Sequence, residues 1–386
     1  TRGYDNIAHL TFLKATSDEG GYVYGTRAET DDRLIHGGGA YPQGWHFATS
    51  HFLNGFGGKL FQTTTPLANV NTYVGVLLAW YIITVYLFTR FSLKILRDYS
   101  GSLKGFDTYA TYSTANILIQ LMLFWGSLSL GFPNFIVCIS YIVLLAVALH
   151  DQKLPKLTKY TLAVLTSVAI AQIWLMPLPA LMFTILLYFS RDIPSWKKYS
   201  LKRWLPYLIV TVVGLAATLF QAYIFLSFSA MNASETLNND GGIFWISNIL
   251  FGFVTIFTIY YSVKAVRKDT LLKPMASLIA PFILMLFCVF IYQIFSAEKT
   301  TYYFVKLLGL TLGIIGVYFT ALFTIGIRKL DIKSMNLPLP ATVLSLLIVG
   351  TAVMSTGQTT LAFNHLFQRY SVTSHETAVA VENYLK

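Results

Sequence analysis

Charge is scarce in this chain of 386 residues, and acidic charge is the scarcest. Only 12% of its residues are charged, and 17 are acidic, whereas soluble domains carry roughly 25% charged residues. Too few polar side chains remain to cover the water-facing surface of a core of this size. With a mean hydropathy of +0.58, the composition excludes an ordinary soluble protein and indicates a membrane protein.

Cysteine and the familiar catalytic motifs are also missing. The two cysteines, Cys138 and Cys288, both lie in apolar segments, which excludes a disulfide framework and favours small core residues. The chain has no Walker motif, no His-Glu-x-x-His, no Cys-x-x-Cys and no Gly-x-Ser-x-Gly. Its apolar segments hold almost no acids, so a proton-coupled carrier would lack its usual relay.

Long apolar segments are what the sequence has in abundance. A bilayer-spanning helix needs about 20 mostly apolar residues, and we predict an all-α transmembrane bundle with about ten spans. A break at Pro177 and Pro179 divides the fourth segment from the fifth, which is short for a full span. The predicted spans are 72–93, 109–129, 132–149, 159–175, 177–190, 204–229, 243–263, 274–296, 303–327 and 339–357.

Basic residues follow every second span. Nineteen of the 28 Lys and Arg residues lie in five connectors, and the intervening connectors contain a single cation, Lys299. Because basic loops stay in the cytoplasm, this alternation predicts a multi-pass plasma-membrane protein. It places residues 1–70, the uncharged connectors and residues 358–386 outside the cell. The net charge of +11 then reflects orientation and contacts with the lipid bilayer, and not binding of nucleic acid.

Three regions follow from this topology. Residues 1–70 form an exterior loop with the candidate catalytic residues, residues 71–357 form the transmembrane domain, and residues 358–386 begin a second exterior segment. An exterior loop reaches the outside only after a preceding span or signal. We therefore expect at least one further transmembrane helix upstream of Thr1.

The first exterior loop holds six of the 17 acids and four of the seven histidines. Asp5 and His9 are four residues apart, so a short surface helix places them on one face. They are candidates for an acid–base couple or, tentatively, for a divalent metal site. Helix capping by Asp5 explains that residue equally well, and a merely solvated loop explains the segment as a whole.

A second group of candidates lies further along this loop. Asp31 and Asp32 form an anionic spot close to His36, ahead of three glycines. The run Tyr41-Pro-x-Gly-Trp45-His46 then leads into an apolar-periodic stretch over 45–56. Trp45 and His46 are candidate cavity residues, with anchoring at the membrane interface as the ordinary alternative.

The ninth span begins with Tyr302, Tyr303 and, one turn later, Lys306. An ionisable residue inside a span is a functional hypothesis by default. Its natural partner at the depth of the lipid headgroups is a phosphate. The alternative is snorkelling, in which the long side chain carries the ammonium group to water.

Taken together, these features resemble the GT-C superfamily, the integral-membrane glycosyltransferases that use polyprenyl-phosphate sugars. The resemblance rests on an acid near the start of a long first exterior loop, on ten or more spans with basic inner loops, and on two motifs. Those motifs, Tyr41-Pro-x-Gly-Trp-His46 and Tyr302-Tyr-x-x-Lys306, are similar to motifs of Gram-positive, especially actinobacterial-type, cell-envelope members.

The resemblance implies a role for each candidate residue. Asp5 would be the general base that deprotonates the acceptor sugar, assisted by Asp31 or Asp32 directly or through Mg²⁺ or Mn²⁺. Lys306, with Tyr302 and Tyr303, would hold the donor phosphate. The remaining candidates would line the substrate cavity: His9, His36, Tyr41, Trp45 and His46.

Two other functions share parts of this pattern. A flippase or exporter of lipid-linked saccharides would need a hydrophilic path through the spans, whereas polarity here is concentrated in the exterior segments. A polymerase or ligase of such saccharides would favour arginines in its exterior loops, and few occur here. A transferase acting on a glycan acceptor at the outer face is the leading hypothesis.

Overall fold

The structure is a computed structural model that describes residues 4–29, 34, 38–57, 66–103, 105–119, 133–190, 200–228, 233–238 and 269–329. Within those ranges the chain forms helices and no strand, as the fold prediction requires. The predicted spans 243–263 and 339–357, the segment 358–386 and the three candidate residues Asp31, Asp32 and His36 lie outside the described residues.

Twelve α-helices and one 3₁₀ turn make up the described part of the chain. The first segment contains three of these helices and the 3₁₀ turn: α1 (Tyr4–Glu19), α2 (Thr26–Glu29), the 3₁₀ turn Gly38–Ala40 and α3 (Gly44–Gly57). The remaining helices are α4 (Pro66–Ser100), α5 (Gly105–Ile119), α6 (Pro133–His150), α7 (Lys156–Ile173), α8 (Leu178–Ser190), α9 (Leu201–Phe228), α10 (Ala233–Asn238), α11 (Asp269–Ala297) and α12 (Tyr302–Lys329).

Five of these helices are long and apolar enough to cross a membrane: Thr72–Asp98, Pro133–His150, Lys202–Phe228, Pro274–Ala297 and Tyr302–Thr324. They coincide with five of the predicted spans and indicate a membrane protein. The predicted span 159–175 corresponds to α7, which is helical but is not among the five, and of the predicted span 109–129 only the part up to Ile119 is described, in α5. The total of about ten spans therefore stays a prediction.

The centre of the bundle is formed by α6 and α12. Of the most apolar stretch of each helix, 78% is buried in α6 and 89% in α12, whereas only 17% is buried in α9 and 22% in α11. The helices α4, α5 and α11 pack against α12, while α7 packs against α6. The large apolar side chains left exposed on α9 and α11 suit a lipid environment, because lipid tails are as apolar as the side chains themselves.

Small and hydroxylated side chains join the central helices. The hydroxyl groups of Thr84 on α4 and Ser140 on α6 are 2.7 Å apart, and those of Thr111 on α5 and Thr324 on α12 are 3.3 Å apart. Glycine also allows two helices to approach closely. A Cβ atom at Gly214 on α9 would lie only 2.3 Å from Cγ1 of Val164 on α7, so a larger residue would clash there. Packing and buried hydrogen bonds of this kind hold helices together where water is absent.

The predicted break between the fourth and fifth spans is confirmed. The helix α7 ends at Ile173 and α8 begins at Leu178, with Pro177 between them. At 1.5 Å per residue the 13 residues of α8 extend about 20 Å, which is less than the roughly 30 Å of hydrocarbon. Tyr188 near its C-terminus donates to the carbonyl of Leu149 at the end of α6. The helix α8 is thus shorter than a full span, as the sequence predicts.

The two cysteines differ in their surroundings. Cys138 is buried in α6, as expected, whereas Cys288 is exposed on α11. The expectation that both are core residues is wrong for Cys288, because the face of α11 that carries it is not packed against another described helix.

The side chain of Gln293 stabilises the connection between α11 and α12 by hydrogen bonds. Its side-chain oxygen accepts from the Thr301 amide at 2.8 Å, and its nitrogen donates to the Leu237 carbonyl at 2.7 Å. We expect Gln293→Leu to lower the free energy of unfolding by about 1–3 kcal/mol, because the buried Thr301 amide loses its acceptor, while the Leu237 carbonyl keeps its bond from the Thr301 hydroxyl. Ser296→Ala, one turn later at an exposed position that bonds Asn238, is the control. Thermal unfolding in detergent should show a small shift for the control, and equal shifts would contradict this role of Gln293.

Candidate functional site

The first segment folds against one end of the helix bundle. Its helices α1 and α3 pack on each other, and α3 packs on α7. Leu10, Phe12 and Leu13 of α1 are buried within the protein. The apolar face of α1 is therefore covered by protein in this structure.

Trp45 and His46 are almost completely buried, with 1% and 0% of their surface exposed. An anchor at the membrane interface keeps its polar edge in water, so the interpretation of these two residues as interfacial anchors is wrong. Both lie in the first turn of α3, and the Trp45 ring contacts Tyr73 near the start of α4. They are internal residues of the docked segment.

Two buried histidines meet where α1 and α3 pack together. Nδ1 of His9 is 3.0 Å from Nε2 of His46, and the two rings stack at 5.2 Å between centroids. On the other side of the ring, Nε2 of His9 is 3.4 Å from the hydroxyl group of Tyr41. Three of the predicted site residues are thus joined in one hydrogen-bonded row.

The orientation of the Asn134 amide at one end of this row follows from the carbonyl of Ile173, which can only accept. Asn134 must therefore turn its amide nitrogen to that carbonyl (3.1 Å), and the same nitrogen donates to the Tyr41 oxygen at 2.9 Å. When the Tyr41 hydroxyl donates to His9 Nε2, His9 carries its proton on Nδ1 and donates to His46 Nε2.

The imidazole of His46 is neutral in this row. Burial lowers its pKa well below the usual value, the neighbouring His9 lowers the pKa further, and the main-chain carbonyl of Gln43 opposes these effects in part. Since the two rings share one proton between their facing nitrogens, a second proton would abolish their hydrogen bond. The row positions uncharged donors and acceptors and is poorly suited to hold a positive charge.

A close approach to α7 determines where this segment docks. A Cβ at Gly44 would lie 2.7 Å from the Gln172 Cβ and 2.9 Å from its carbonyl oxygen. Only glycine allows the start of α3 to lie so near the end of α7. Tyr24 adds a second attachment by donating to Gln221 on α9 at 3.0 Å. The glycine of the Tyr-Pro-x-Gly-Trp-His motif thus has a packing role.

Lys306 lies in an aromatic corner at the start of α12. Its ammonium nitrogen is 3.9 Å from the ring centre of Tyr302, 5.7 Å from that of Tyr303 and 6.0 Å from that of Trp174. The side chain extends towards the helix start, as snorkelling requires, but the ammonium group lies over aromatic faces. Cation–π contacts of this kind stabilise a partly desolvated ammonium group.

The row and the aromatic corner adjoin each other through the outer turns of α6 and α7. Asn134 of the row bonds Ile173, and the next residue on each helix, Phe135 and Trp174, brings the two rings to 6.5 Å. Trp174 in turn contacts Lys306. The structure therefore brings His9, Tyr41, Trp45, His46, Tyr302, Tyr303 and Lys306 to one end of the bundle.

Among the residues that the structure describes, the basic connector between α6 and α7 lies at the opposite end. Lys159 at the start of α7 donates to the carbonyl of Leu149 at the far end of α6, and to Tyr188 at the end of α8. The uncharged turns before α6 and after α7 meet at the site end instead. This geometry agrees with the alternation of charged and uncharged connectors in the sequence.

Asp5 lies in the first turn of α1, which begins at Tyr4. It therefore follows the helix start and does not occupy the cap position, although a carboxylate there still suits the positive end of the helix dipole. His9 is one turn further on, as the spacing predicts. The role of Asp5 as a base stays a prediction.

A metal site at His9 fits poorly with the described donors. Both ring nitrogens of His9 already form hydrogen bonds, to His46 and to Tyr41. Among the residues that the structure describes, no three His, Cys, Asp or Glu side chains are grouped as metal ligands. A cation bound at His9 would have to displace one of those bonds, so no step below depends on a metal.

Sequence reasoning missed Asn134, Trp174 and Gln43. Asn134 stands in an uncharged connector directly after Pro133, where a polar residue at the mouth of a span was a usable signal. Gln43, which accepts from the Val23 amide at 2.9 Å, had no such signal, because its partner is distant in the chain.

Comparison with known proteins adds no relative. Neither a protein-family model, nor a curated protein, nor a solved structure matches this chain.

The buried histidine pair predicts a dependence of stability on acidity. Because the folded-state pKa of His46 lies below its unfolded value of about 6.5, the unfolded chain takes up the proton first. The free energy of unfolding should therefore be highest above pH 6.5 and fall on acidification, by about 1.4 kcal/mol per pH unit for one proton. His46→Gln should flatten this slope, as measured by denaturant unfolding across pH.

His51→Gln provides the control, because His51 lies on the same helix but is exposed. Its slope should match that of the unmodified protein. A slope that is unchanged in His46→Gln, or flattened equally in both variants, contradicts the assignment.

Proposed function

We propose that this protein is a GT-C-type glycosyltransferase of the plasma membrane. It moves a sugar from a polyprenyl-phosphate donor to a cell-envelope glycan acceptor on the outer face. The observation that carries the proposal is the aromatic corner around Lys306, which adjoins an uncharged hydrogen-bonding row at the end of the bundle opposite to the basic connector between α6 and α7. The aromatic corner suits a phosphate, and the row suits a sugar.

Lys306 supplies the charge that a donor phosphate requires. An ammonium group one helical turn from the start of a span lies close to headgroup level, where the phosphate of a membrane-anchored donor also lies. Tyr302 and Trp174 shield one side of the ammonium group from water, and a lower dielectric strengthens its attraction for an anion. In the reaction this cation stabilises the departing lipid phosphate.

Asp5 is the proposed general base. The acceptor hydroxyl attacks the anomeric carbon, the bond from that carbon to the phosphate oxygen breaks, and the hydroxyl proton passes to the carboxylate. The His9–His46 pair is a weak alternative to Asp5, because burial of His46 disfavours an added proton. Asp31, Asp32 and His36 retain the assisting roles predicted from the sequence.

The described spans favour a transferase over a flippase. Deep hydroxyl groups such as those of Thr84, Ser140, Thr111 and Thr324 bond each other or their own helices. Their hydrogen-bonding capacity is used for helix packing, so they do not form a hydrophilic path for a saccharide. For a polymerase or ligase, the first segment has few arginines: Arg2, Arg27 and Arg33.

Replacing Lys306 by Ala should weaken binding of a polyprenyl-phosphate sugar by about 10- to 100-fold, the range for a lost charge-assisted contact. Binding of the acceptor should change little. Lys299→Ala, at an exposed position in the preceding connector, is the matched control and should leave the donor affinity intact. Equal loss of donor and acceptor binding in Lys306→Ala would contradict the phosphate role.

Replacing Asp5 by Asn should reduce turnover of the purified protein with a polyprenyl-phosphate sugar by about 100-fold or more, in the upper range for loss of a general base. Asp18→Asn, in the same helix and paired with Lys14 on the surface, should retain activity. Turnover of Asp5→Asn near that of the unmodified protein would remove Asp5 from the mechanism.

A further inference from the structure

The helices α7 and α9 form a parallel pair. The Tyr160 hydroxyl is 2.7 Å from that of Thr211, and the rings of Tyr160 and Tyr207 are 5.3 Å apart between centroids. Further along, the side chain of Gln172 donates to the carbonyl of Ala217. Residue numbers therefore rise together along the two helices, and both helices begin at the end of the bundle that carries the basic connector between α6 and α7.

This register brings two cations together where the pair begins. Lys156 lies one turn before Tyr160, and Arg203 lies one turn before Tyr207, so each cation shares the helix face of the tyrosine that follows it. Since the two tyrosine rings are in contact, Lys156 and Arg203 flank one gap between the helix starts, the α7–α9 gap. Both cations are exposed, so the gap is open to the outside of the protein.

The charge around the α7–α9 gap is of one sign. The two helices contain four cations and no Asp or Glu. One of the cations, Lys159, is buried and donates to the carbonyl of Leu149 on α6. The other three, Lys156, Lys202 and Arg203, are exposed, and their combined field attracts an anion to the gap.

The surroundings of the gap match a membrane interface. Trp204 and Tyr207 are partly buried, with 6.4 Å between their ring centroids, and amphipathic rings of this kind are typical of the level of the lipid headgroups. Further along the helices the exposed side chains are apolar, and Leu165, Leu208 and Val212 are each more than half exposed. A ligand with an anionic head and long apolar chains fits this order of residues, whereas a free anion would contact the cations alone.

We propose that the α7–α9 gap binds an anionic phospholipid of the leaflet at the basic end of the bundle. Its phosphate lies between Lys156 and Arg203, and its acyl chains extend along the exposed apolar faces of α7 and α9. The site differs from the general attraction of basic loops to anionic lipid, because two cations in a fixed register account for it. The inference is independent of the proposed function, since the candidate catalytic site lies at the other end of the bundle.

The test is native mass spectrometry of the full chain in a neutral detergent, titrated with phosphatidylglycerol or with phosphatidylcholine of the same acyl chains. The unmodified protein should bind phosphatidylglycerol more tightly. Lys156→Gln and Arg203→Gln should each weaken that binding by about 5-fold, the factor for one cation close to an anionic headgroup. Neither variant should change the binding of phosphatidylcholine.

Lys153→Gln is the matched control. It removes the same charge from an exposed position at the same end of the protein, but Lys153 lies in the connector before α7 and not on the face that meets α9. Binding of phosphatidylglycerol should therefore be retained. Inorganic phosphate in excess should not displace the lipid, because it lacks the chains that contact Leu165 and Leu208.

Three results overturn the site. Equal affinity for the two lipids, or affinity for phosphatidylglycerol that is unchanged in both gap variants, would mean that the gap does not select an anionic headgroup. Equal losses in Lys153→Gln and Lys156→Gln would mean a diffuse attraction to the basic end. Displacement by inorganic phosphate would mean a site for a free anion instead of a lipid. The proposed transfer reaction is judged separately, by turnover and by Lys306→Ala.

Discussion

The carbonyl group of Ile173 is the point on which the arrangement of the site depends. Pro177 prevents α7 from continuing, so the last carbonyls of that helix have no partner within it. Asn134 at the start of α6 supplies the partner, and its second N–H then orients Tyr41. From there the hydrogen bonds continue through Tyr41 to His9 and His46. A helix break within the bundle thereby anchors a row contributed mainly by the first segment.

The same break places the two halves of the site side by side. Because α7 stops at Ile173, Trp174 turns away from the helix and reaches both Phe135 and Lys306. The site therefore lies where irregular backbone is buried against protein, which is the situation in which such backbone is tolerated at membrane depth.

Much of this arrangement was predictable from residue patterns, and the reasons are local. Apolar length and prolines predicted the spans and the break at Pro177, because each depends on neighbours in the chain. The spacing of Asp5 and His9, and of Tyr302 and Lys306, predicted shared helix faces. The partners of His9 were not predictable, because His46 is 37 residues away and Asn134 acts through Tyr41. The sequence also allows Trp45 to be a membrane anchor, since amphipathic rings are typical of interfaces, and only tertiary packing shows that it is internal.

The proposed transfer reaction depends on sidedness, since a donor carried by the outer leaflet must meet the site from outside. The direct measurement is cysteine labelling in intact cells with a membrane-impermeant maleimide, in a Cys138→Ala, Cys288→Ala background. His51→Cys reports the site end and Lys153→Cys the basic end, and both positions are exposed. The account predicts labelling of the first in intact cells and of the second only after the cells are opened. The reverse pattern would contradict it.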